Sequence, residues 1–309
     1  MTQIATYSKE ITLPYTDERF RQDVSMYLAH LEDCGRRPAT VETYRRALSS
    51  IGNTEKTLMG GLIDPRELVP EDFVRLNNAL TVCENSKKLY LIVLGRLCRF
   101  LTGYNPRMDA DILWNKTSKR RLFISPAQFK VMTLECTPLE RLVFTLGAHM
   151  GLRRCEIANI RLGDISKGHI TVGGKGHGPN GKVERLFMPA QVRMAISEYM
   201  AERENIVTMT GSTDDHLILK PNGPYRGRGA DSRLIGSIVH RVSDRNGVDM
   251  TPHSLRRLFA TTMYEGGVDL NTIRLMMRHE SLDTTLSCYI NVSGARFDSA
   301  RSVVESTLS

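Results

Sequence analysis

The chain has 309 residues, of which 41% are hydrophobic and 25% are charged; this balance is typical of folded globular proteins and excludes disordered and collagen-like classes. At roughly 150 residues per domain, the length predicts two domains. Lysine and arginine number 42 against 34 acidic residues, a formal net charge of +8, so a polyanion such as nucleic acid is the first partner to consider.

The N-terminal part predicts a small all-helical domain over residues 16–103. From Thr16 onward, apolar residues recur at steps of three and four, which is the pattern of amphipathic helices. Pro70 opens a further helix with acidic residues at its positive end. Ser86 is expected to cap the last helix, over residues 87–101. No strand pattern interrupts this segment.

Residues 104–121 are predicted to form a linker, because Tyr104-Asn-Pro-Arg breaks the helical pattern and residues 116–121 are basic and polar. From residue 122 to 309 the pattern changes to mixed α and β, which predicts a second domain. Ser125-Pro-Ala-Gln has the N-cap, N1 and N3 residues of a helix start.

Short strands are predicted at residues 169–172 and 185–188, joined by a glycine-rich turn over 173–182. Residues 217–219 are a candidate third strand, and the chain after about residue 232 is predicted to be helical. The expected fold is therefore an all-α N-terminal domain followed by a mainly α domain with a small antiparallel β-sheet.

The composition also predicts where the protein works and what it lacks. No apolar run approaches the roughly 20 residues that span a bilayer, and the start of the chain lacks the pattern of a signal peptide. The six cysteines form no C-x-x-C pair, and the histidines form no H-E-x-x-H motif. We expect a cytoplasmic protein with reduced thiols and no metal, no other cofactor and no membrane contact.

Gly151-Leu-Arg-Arg-Cys-Glu156 follows an apolar helix pattern and places an arginine in a turn. Arg153 there is suited to hold an anion. A salt bridge with Glu156, three residues further on, is an equally supported interpretation.

The glycine-rich turn carries Lys175, a mobile cation and a possible proton donor. For a turn lysine taken alone, a solvated side chain is the more frequent outcome. Lys182 in the same turn competes for the same role.

Thr251-Pro-His-Ser-Leu-Arg256 has an N-cap threonine and a proline at N1. This puts His253 and Arg256 three residues apart in the first helical turn, on one face. A helix N-terminus with an added histidine and arginine is suited to bind phosphate. The alternative is an ordinary solvated first turn.

His279 is expected to close one helix, and Tyr289 to lie in the next. Structural roles stay open for both, because Leu282, Leu286 and Tyr289 have the spacing of a core stripe and a lone histidine is more often structural than catalytic.

Taken together, these residues suit one reaction, the in-line transfer of a DNA phosphoryl group to a tyrosine. Tyr289 would attack the phosphodiester while Arg153 and Arg256 stabilise the extra negative charge of the transition state. Either histidine can exchange protons or hydrogen bonds, and Lys175 would protonate the leaving 5′-oxygen. The covalent phosphotyrosine conserves the bond energy, so the strand can be rejoined without ATP.

The order R…K…H-x-x-R…H…Y resembles that of the tyrosine recombinase (phage integrase-like) family. Gly151-Leu-Arg153-x-x-Glu156 is similar to the box with the first catalytic arginine of that family, and its spacing favours Arg153 over Arg154. His253-Ser-Leu-Arg256 resembles the H-x-L-R box. The resemblance implies six catalytic residues: Arg153, Lys175, His253, Arg256, His279 and Tyr289.

The resemblance covers nearly the whole chain and implies a core-binding domain at 16–103, a linker at 104–121 and a catalytic domain at 122–309. It implies a site-specific recombinase that clamps double-stranded DNA between two domains and acts through a 3′-phosphotyrosine and a Holliday junction. Four protomers would assemble on two sites, with only two active at once. DNA contacts are expected at Arg45, Arg46, Lys87, Lys88, Lys119 and Arg120, although a solvated helix face is an equal alternative for those on helices.

The chain departs from the family pattern at three points: the hairpin turn is longer, Arg257 stands where histidine is usual, and Met277-Arg278 stands where Leu-Gly is common. None of these removes a catalytic role. Two alternative functions stay open, a type IB topoisomerase-like relaxing enzyme and a DNA-binding module without catalysis. Apolar residues at helical spacing after Tyr289 predict a tail that docks on a neighbouring protomer or packs on its own domain.

Overall fold

The computed structural model describes residues 16–58, 60–114, 123–173 and 183–279. The chain divides into two compact units, residues 1–119 and 120–309. Several predicted features lie outside the described residues: Lys119, Arg120, Lys175, Lys182, Tyr289 and the tail that follows it.

All regular secondary structure in the described part of the first unit is helical. Its helices are α1 (Asp17–Asp33), α2 (Pro38–Leu58), α3 (Pro70–Ala79) and α4 (Glu84–Thr102), followed by a 3₁₀ turn at Pro106–Met108. The predicted apolar stripes form one core, with Leu48, Ile51, Phe73 and Leu76 completely buried. Burial of these side chains is the main force that holds the four helices together.

The last helix of this unit begins earlier than predicted. The backbone N–H groups of Ser86 and Lys87 donate to the Cys83 carbonyl, at 2.8 and 3.0 Å. Cys83 is therefore the N-cap of α4 and Ser86 lies inside its first turn. Serine is a favourable N-cap residue, but here the carbonyl of Cys83, three residues earlier, accepts the first hydrogen bonds of the helix.

The second unit is mainly helical and contains a small sheet. Its helices are α5 (Pro126–Leu134), α6 (Pro138–Met150), α7 (Arg154–Asn159), α8 (Ala190–Thr210), α9 (Ser232–Asn246), α10 (Pro252–Glu265) and α11 (Leu270–Met276). Helix α6 is buried on nearly all sides, because α8, α9 and α10 pack around it. This central position explains why its sequence is apolar around the whole helix.

The sheet has three antiparallel strands in the order β1 (Ile165–Ser166), β2 (His169–Gly173) and β3 (Val183–Phe187). Two of them were expected, and the predicted fold class is confirmed. The prediction of a strand at residues 217–219 is wrong. The N–H of Leu217 donates to the Ile160 carbonyl, and that of Leu219 to the Tyr199 hydroxyl, so the segment forms only isolated bridges.

Among the described helices, none combines the length and the hydropathy that a bilayer-crossing segment requires.

Candidate functional site

The site begins at the glycine that ends α6. Gly151 has a φ of +60°, a conformation that favours glycine. A Cβ atom at this position would also lie 2.6 Å from Cδ1 of Phe259. Only glycine satisfies both conditions, and the sharp turn brings the chain directly to Arg153, the N-cap of α7.

Arg153 makes the predicted ion pair and also reaches a distant segment. Its Nη1 donates to Oε1 of Glu156 at 2.6 Å, and its backbone N–H donates to Oε2 at 2.8 Å. Its Nη2 donates to the carbonyl of Arg278 at 2.9 Å. The salt bridge is therefore present. It orients the guanidinium, so it is compatible with a role of Arg153 in the site. Arg154 is exposed.

Helix α10 supplies a histidine and an arginine from its first turn, as the capping pattern predicted. Thr251 is the N-cap and its backbone N–H donates to Oγ of Ser254 at 3.0 Å. Arg256 is only 3% exposed, and its guanidinium donates to the carbonyls of Gly151 and Met277. Arg256 thus joins the end of α6 to the end of α11. His253 lies in the same first turn and stays accessible to solvent.

Burial, and after it nearby positive charge, lowers the pKa values of the two histidines. Partial removal of the imidazole from water, and after it the positive charges of Arg256 and three further arginines, lowers the pKa of His253. Burial, followed by the charges of Arg256, Arg153, Arg278 and then His253, lowers the pKa of His279 to about 4. Both imidazoles are therefore neutral at pH 7 and can accept a hydrogen bond or a proton.

Two further residues belong to this cluster: Glu156, which was predicted only as a salt-bridge partner of Arg153, and Arg278, to which the sequence assigned no role. Arg278, whose side chain is 3% exposed, donates from Nη2 to Oε2 of Glu156 at 2.7 Å and to the Gly151 carbonyl at 3.3 Å. Burial by itself would raise the pKa of Glu156, but the charge of Arg278 and the hydrogen bonds from Arg153 outweigh it and lower that pKa. Glu156 is thus an ionised carboxylate shared by two arginines.

This arrangement can bind an oxyanion. Three guanidinium groups and one carboxylate leave a net positive charge where α6 and α11 end and α10 begins, and neutral imidazoles stand beside it. Fixed donors of this kind stabilise charge that develops in a phosphoryl-transfer transition state. The described part of the site holds Arg153, His253, Arg256 and His279; the predicted lysine and tyrosine lie outside it.

Four of the predicted DNA-binding residues belong to the described part of the first unit, and they lie on two of its helices. Arg45 and Arg46 are exposed on α2 and pair with Glu42 at 3.5 and 2.8 Å. They line an open groove of about 490 Å³ along that helix, with serine, threonine and asparagine side chains. Lys87 and Lys88 lie on α4, where Lys87 pairs with Glu84 at 3.4 Å and Lys88 covers the ring of Trp114.

One group of potential metal ligands occurs among the described residues: Asp214, Asp215 and His216. Internal bonds engage these side chains. Asp214 accepts from the ring of His216 at 2.6 Å and from the backbone N–H of Gly229 at 2.7 Å. Asp215 pairs with Arg161 at 2.6 Å. The group therefore fastens the 212–229 segment to the unit.

Similarity to a known protein family extends over most of the second unit. The model of the phage integrase family matches residues 130–296. Tyrosine recombinase XerA of Pyrococcus furiosus is 33% identical over 150 residues, which cover 47% of this chain and 48% of that protein. The chain spans about half the length of the curated relatives it matches.

Two solved structures have a similar fold. The Tn1549 transposon integrase in complex with circular intermediate DNA has a TM-score of 0.67 at 16% identity, covering 92% of this chain and 98% of that one. The lambda integrase tetramer bound to a Holliday junction has a TM-score of 0.63 at 16% identity, covering 86% of this chain and 76% of that one. At these identities the likeness concerns the fold.

Proposed function

Because the chain belongs to the phage integrase family, we propose that it is a tyrosine site-specific recombinase, which cleaves and rejoins double-stranded DNA through a 3′-phosphotyrosine. One observation carries the proposal: Arg153, His253, Arg256 and His279 converge where α6 and α11 end and α10 begins. These residues come from three separate segments, and an anion-binding site explains why so many cations are held together.

Cleavage would exchange one phosphoester for another. The Tyr289 oxygen forms a bond to phosphorus, and the bond from phosphorus to the 5′-oxygen breaks. Arg153 and Arg256 hold the non-bridging oxygens, which gain negative charge in the transition state. His253 and His279 donate and accept hydrogen bonds, and one of them takes the tyrosine proton. Lys175, or Lys182 in the same turn, protonates the leaving 5′-oxygen.

Rejoining would be the reverse reaction, with the 5′-hydroxyl of the exchanged strand as the nucleophile. Its product after one pair of exchanges is a Holliday junction. We assign the working assembly as a homotetramer on two DNA sites, supported by the tetramer of lambda integrase on a Holliday junction. Integration, excision and resolution are all compatible with this chemistry.

The first unit would supply contacts to the DNA backbone from Arg45 and Arg46 on α2 and from Lys87 and Lys88 on α4. Lys119 and Arg120 in the predicted linker would supply further ones. Phosphate contacts of this kind position a protein on DNA but carry no sequence information. The described cysteines are all free thiols, which supports the cytoplasm as the compartment in which the protein acts.

Covalent trapping tests the proposal. Nicked suicide duplexes from the DNA that flanks the gene are incubated with the protein, and adducts are resolved on denaturing gels. We expect a DNA-shifted band with the wild type and none with Tyr289→Phe. Tyr225→Phe is the matched control, because Tyr225 lies on the surface at 55% exposure.

Three results would contradict the proposal in different ways. An adduct that persists in Tyr289→Phe would exclude this nucleophile. Relaxation of supercoiled plasmid without any cognate sequence would favour a topoisomerase. Tight DNA binding without an adduct on any flanking duplex would favour a binding module.

A further inference from the structure

Arg278 has an unusual backbone conformation. Its φ is +53°, and it is the one non-glycine residue with a positive φ among the described parts of the chain. Side chains with a Cβ rarely adopt this conformation because the Cβ approaches the following carbonyl. A residue kept there at such a cost often serves function.

The side chain of Arg278 folds back into the protein instead of extending into solvent. Its Nη1 donates to the Met276 carbonyl at 3.1 Å, and its Nη2 donates to Glu156 and to the Gly151 carbonyl. Its Nε is buried without a hydrogen-bond partner. The guanidinium therefore connects the end of α11 to the turn that carries Arg153.

The connection runs in both directions. Arg153 donates to the backbone carbonyl of Arg278, and the guanidinium of Arg278 donates to the carboxylate that orients Arg153. Glu156 thus shares a single negative charge between two guanidinium groups. With Arg278 present, Arg153 keeps more uncompensated positive charge than it would in a simple one-to-one ion pair.

We propose that Arg278 is a positioning residue for phosphoryl transfer: it holds Glu156 and the 151–156 turn so that Arg153 faces the scissile phosphate with its charge only partly neutralised. This inference rests on the proposed function, because it presumes that Arg153 binds that phosphate. Arg278 acts through Glu156 and Gly151, and we assign it no contact with DNA.

Arg278 also influences the neighbouring histidine. Arg274 lies beside it and donates to the His279 backbone carbonyl at 3.2 Å. Among the described residues, the charged and titratable groups that lower the pKa of His279, after burial, are Arg256, Arg153, Arg278 and His253. Loss of the Arg278 guanidinium removes one of three positive charges from this set. The imidazole of His279 should then take up a proton at a higher pH.

Arg278→Gly is the informative variant, because glycine adopts a positive φ without cost and the change removes only the side chain. Arg278→Lys is the conservative partner, which keeps the charge but lacks the planar fork. We expect single-turnover cleavage by Arg278→Gly to fall between about tenfold and a hundredfold, while the Kd for the duplex changes less than about twofold. Arg278→Lys should lie between this variant and the wild type.

A double-mutant cycle with Glu156→Gln tests the route of action. If Arg278 works through Glu156, the double variant should cleave no more slowly than the slower single variant. In the pH profile of cleavage by Arg278→Gly, the loss of activity on the acidic side should begin at a higher pH than in the wild type. A general loss of stability does not produce this change. Circular dichroism at the assay temperature establishes that each variant is folded.

The inference would be overturned if Arg278→Gly cleaved DNA at the wild-type rate, or if the rate losses of Arg278→Gly and Glu156→Gln simply multiplied in the double variant. Either result would leave the proposed function intact. If the wild type forms no adduct, the proposed function fails, and the inference is then decided on DNA-free protein. NMR should show hindered rotation of the Arg153 guanidinium in the wild type and faster rotation in Arg278→Gly. Equal rotation rates of the Arg153 guanidinium in the wild type and in Arg278→Gly would overturn the inference.

Discussion

Gly147 of α6 lies against Leu255 of α10 so closely that a Cβ atom at position 147 would stand 2.9 Å from the Leu255 Cβ. This contact sets the distance between the helix that ends at Gly151 and the helix that carries His253 and Arg256. Gly147→Ala should move α10 outward. We expect a loss of about 1–3 kcal/mol in stability, visible as a lower Tm, together with slower cleavage.

Gly236→Ala is the matched control for that variant. Gly236 lies inside α9, and its nearest neighbour to an added Cβ is an arginine nitrogen at 4.0 Å. The substitution should leave Tm unchanged or raise it, because alanine is favoured over glycine in a helix by up to about 1 kcal/mol. Equal effects of the two alanines would show that the close contact does not limit the packing.

Glu55 should make the first unit less stable as the pH rises. It is 1% exposed, and burial raises its pKa from 4.5 to about 7. Below pH 4.5 the carboxyl is protonated in both folded and unfolded chains. Between 4.5 and about 7 only the unfolded chain loses its proton, so stability falls with rising pH, by about 3 kcal/mol at most.

Thermal unfolding at pH 5 and pH 8 measures this effect. For the unfolding of the first unit, the wild-type Tm should be lower at pH 8 than at pH 5. Glu55→Gln should reduce this difference because its side chain cannot ionise. Glu71→Gln, on the exposed side of α3, serves as the control. A wild type and a Glu55→Gln variant with the same pH dependence would exclude a role for this carboxyl.

The ion pair of Asp23 and Arg66 fastens the 60–69 connection to α1. The guanidinium makes two hydrogen bonds to the carboxylate, at 2.7 and 2.8 Å, and Asp23 is only 3% exposed. Arg66→Ala removes two charge-assisted hydrogen bonds from a buried carboxylate, at a cost of about 3–5 kcal/mol. Denaturant unfolding should show this loss, and adding Asp23→Asn should recover part of it.

An exposed pair on the same helix provides the comparison. Arg21 is 79% exposed and lies 3.9 Å from Asp17. Arg21→Ala should cost less than about 1 kcal/mol. If Arg66→Ala were equally mild, the buried pair would not hold the connection in place.

Arg256→Lys should abolish most cleavage without loss of DNA binding. A single ammonium cannot bridge the carbonyls of Gly151 and Met277 as the guanidinium does. We expect a decrease of about 10²–10³ in the cleavage rate, measured in single-turnover assays on the suicide duplex. Arg257→Lys is the neighbouring control, because the Arg257 guanidinium stacks over the Phe123 ring at 5.9 Å and should matter far less.

The arginines of α2 should determine part of the salt dependence of DNA binding. Removing both Arg45 and Arg46 should lower the slope of log K against log salt by about 2, since each phosphate contact contributes about 0.9. Binding titrations over a series of salt concentrations measure this slope. Arg75→Ala, which removes an exposed arginine from α3, should leave the slope unchanged if the DNA contacts lie on α2.

Local signals made much of the fold predictable. The capping residues Ser125 and Thr251 begin α5 and α10 as expected, because a cap depends on a few adjacent residues. The strand Ile165–Ser166 has only two residues, which is too short for an alternating pattern. The apolar segment 217–219 is buried, and burial alone does not distinguish a strand from a packed loop.

The candidate site was predictable where residue types carry the chemistry, as for Arg153 and Arg256. It was not predictable where the geometry depends on the backbone. The sequence shows that Arg278 stands where glycine is common in the family. The direction of its side chain, however, depends on its positive φ and on Glu156, which lies 122 residues earlier in the chain. Likewise, nothing in the sequence marks the carbonyls of Gly151 and Met277 as acceptors.

The bonds that complete the site impose an order on its assembly. Arg153 binds a carbonyl 125 residues further along the chain, and Arg256 binds one that follows it by 21 residues. During synthesis on the ribosome, α6 and α10 can pack before residues 277 and 278 emerge. The two arginines acquire their shared geometry only after that segment arrives, so the anion site is among the last parts of this unit to form as the chain is made.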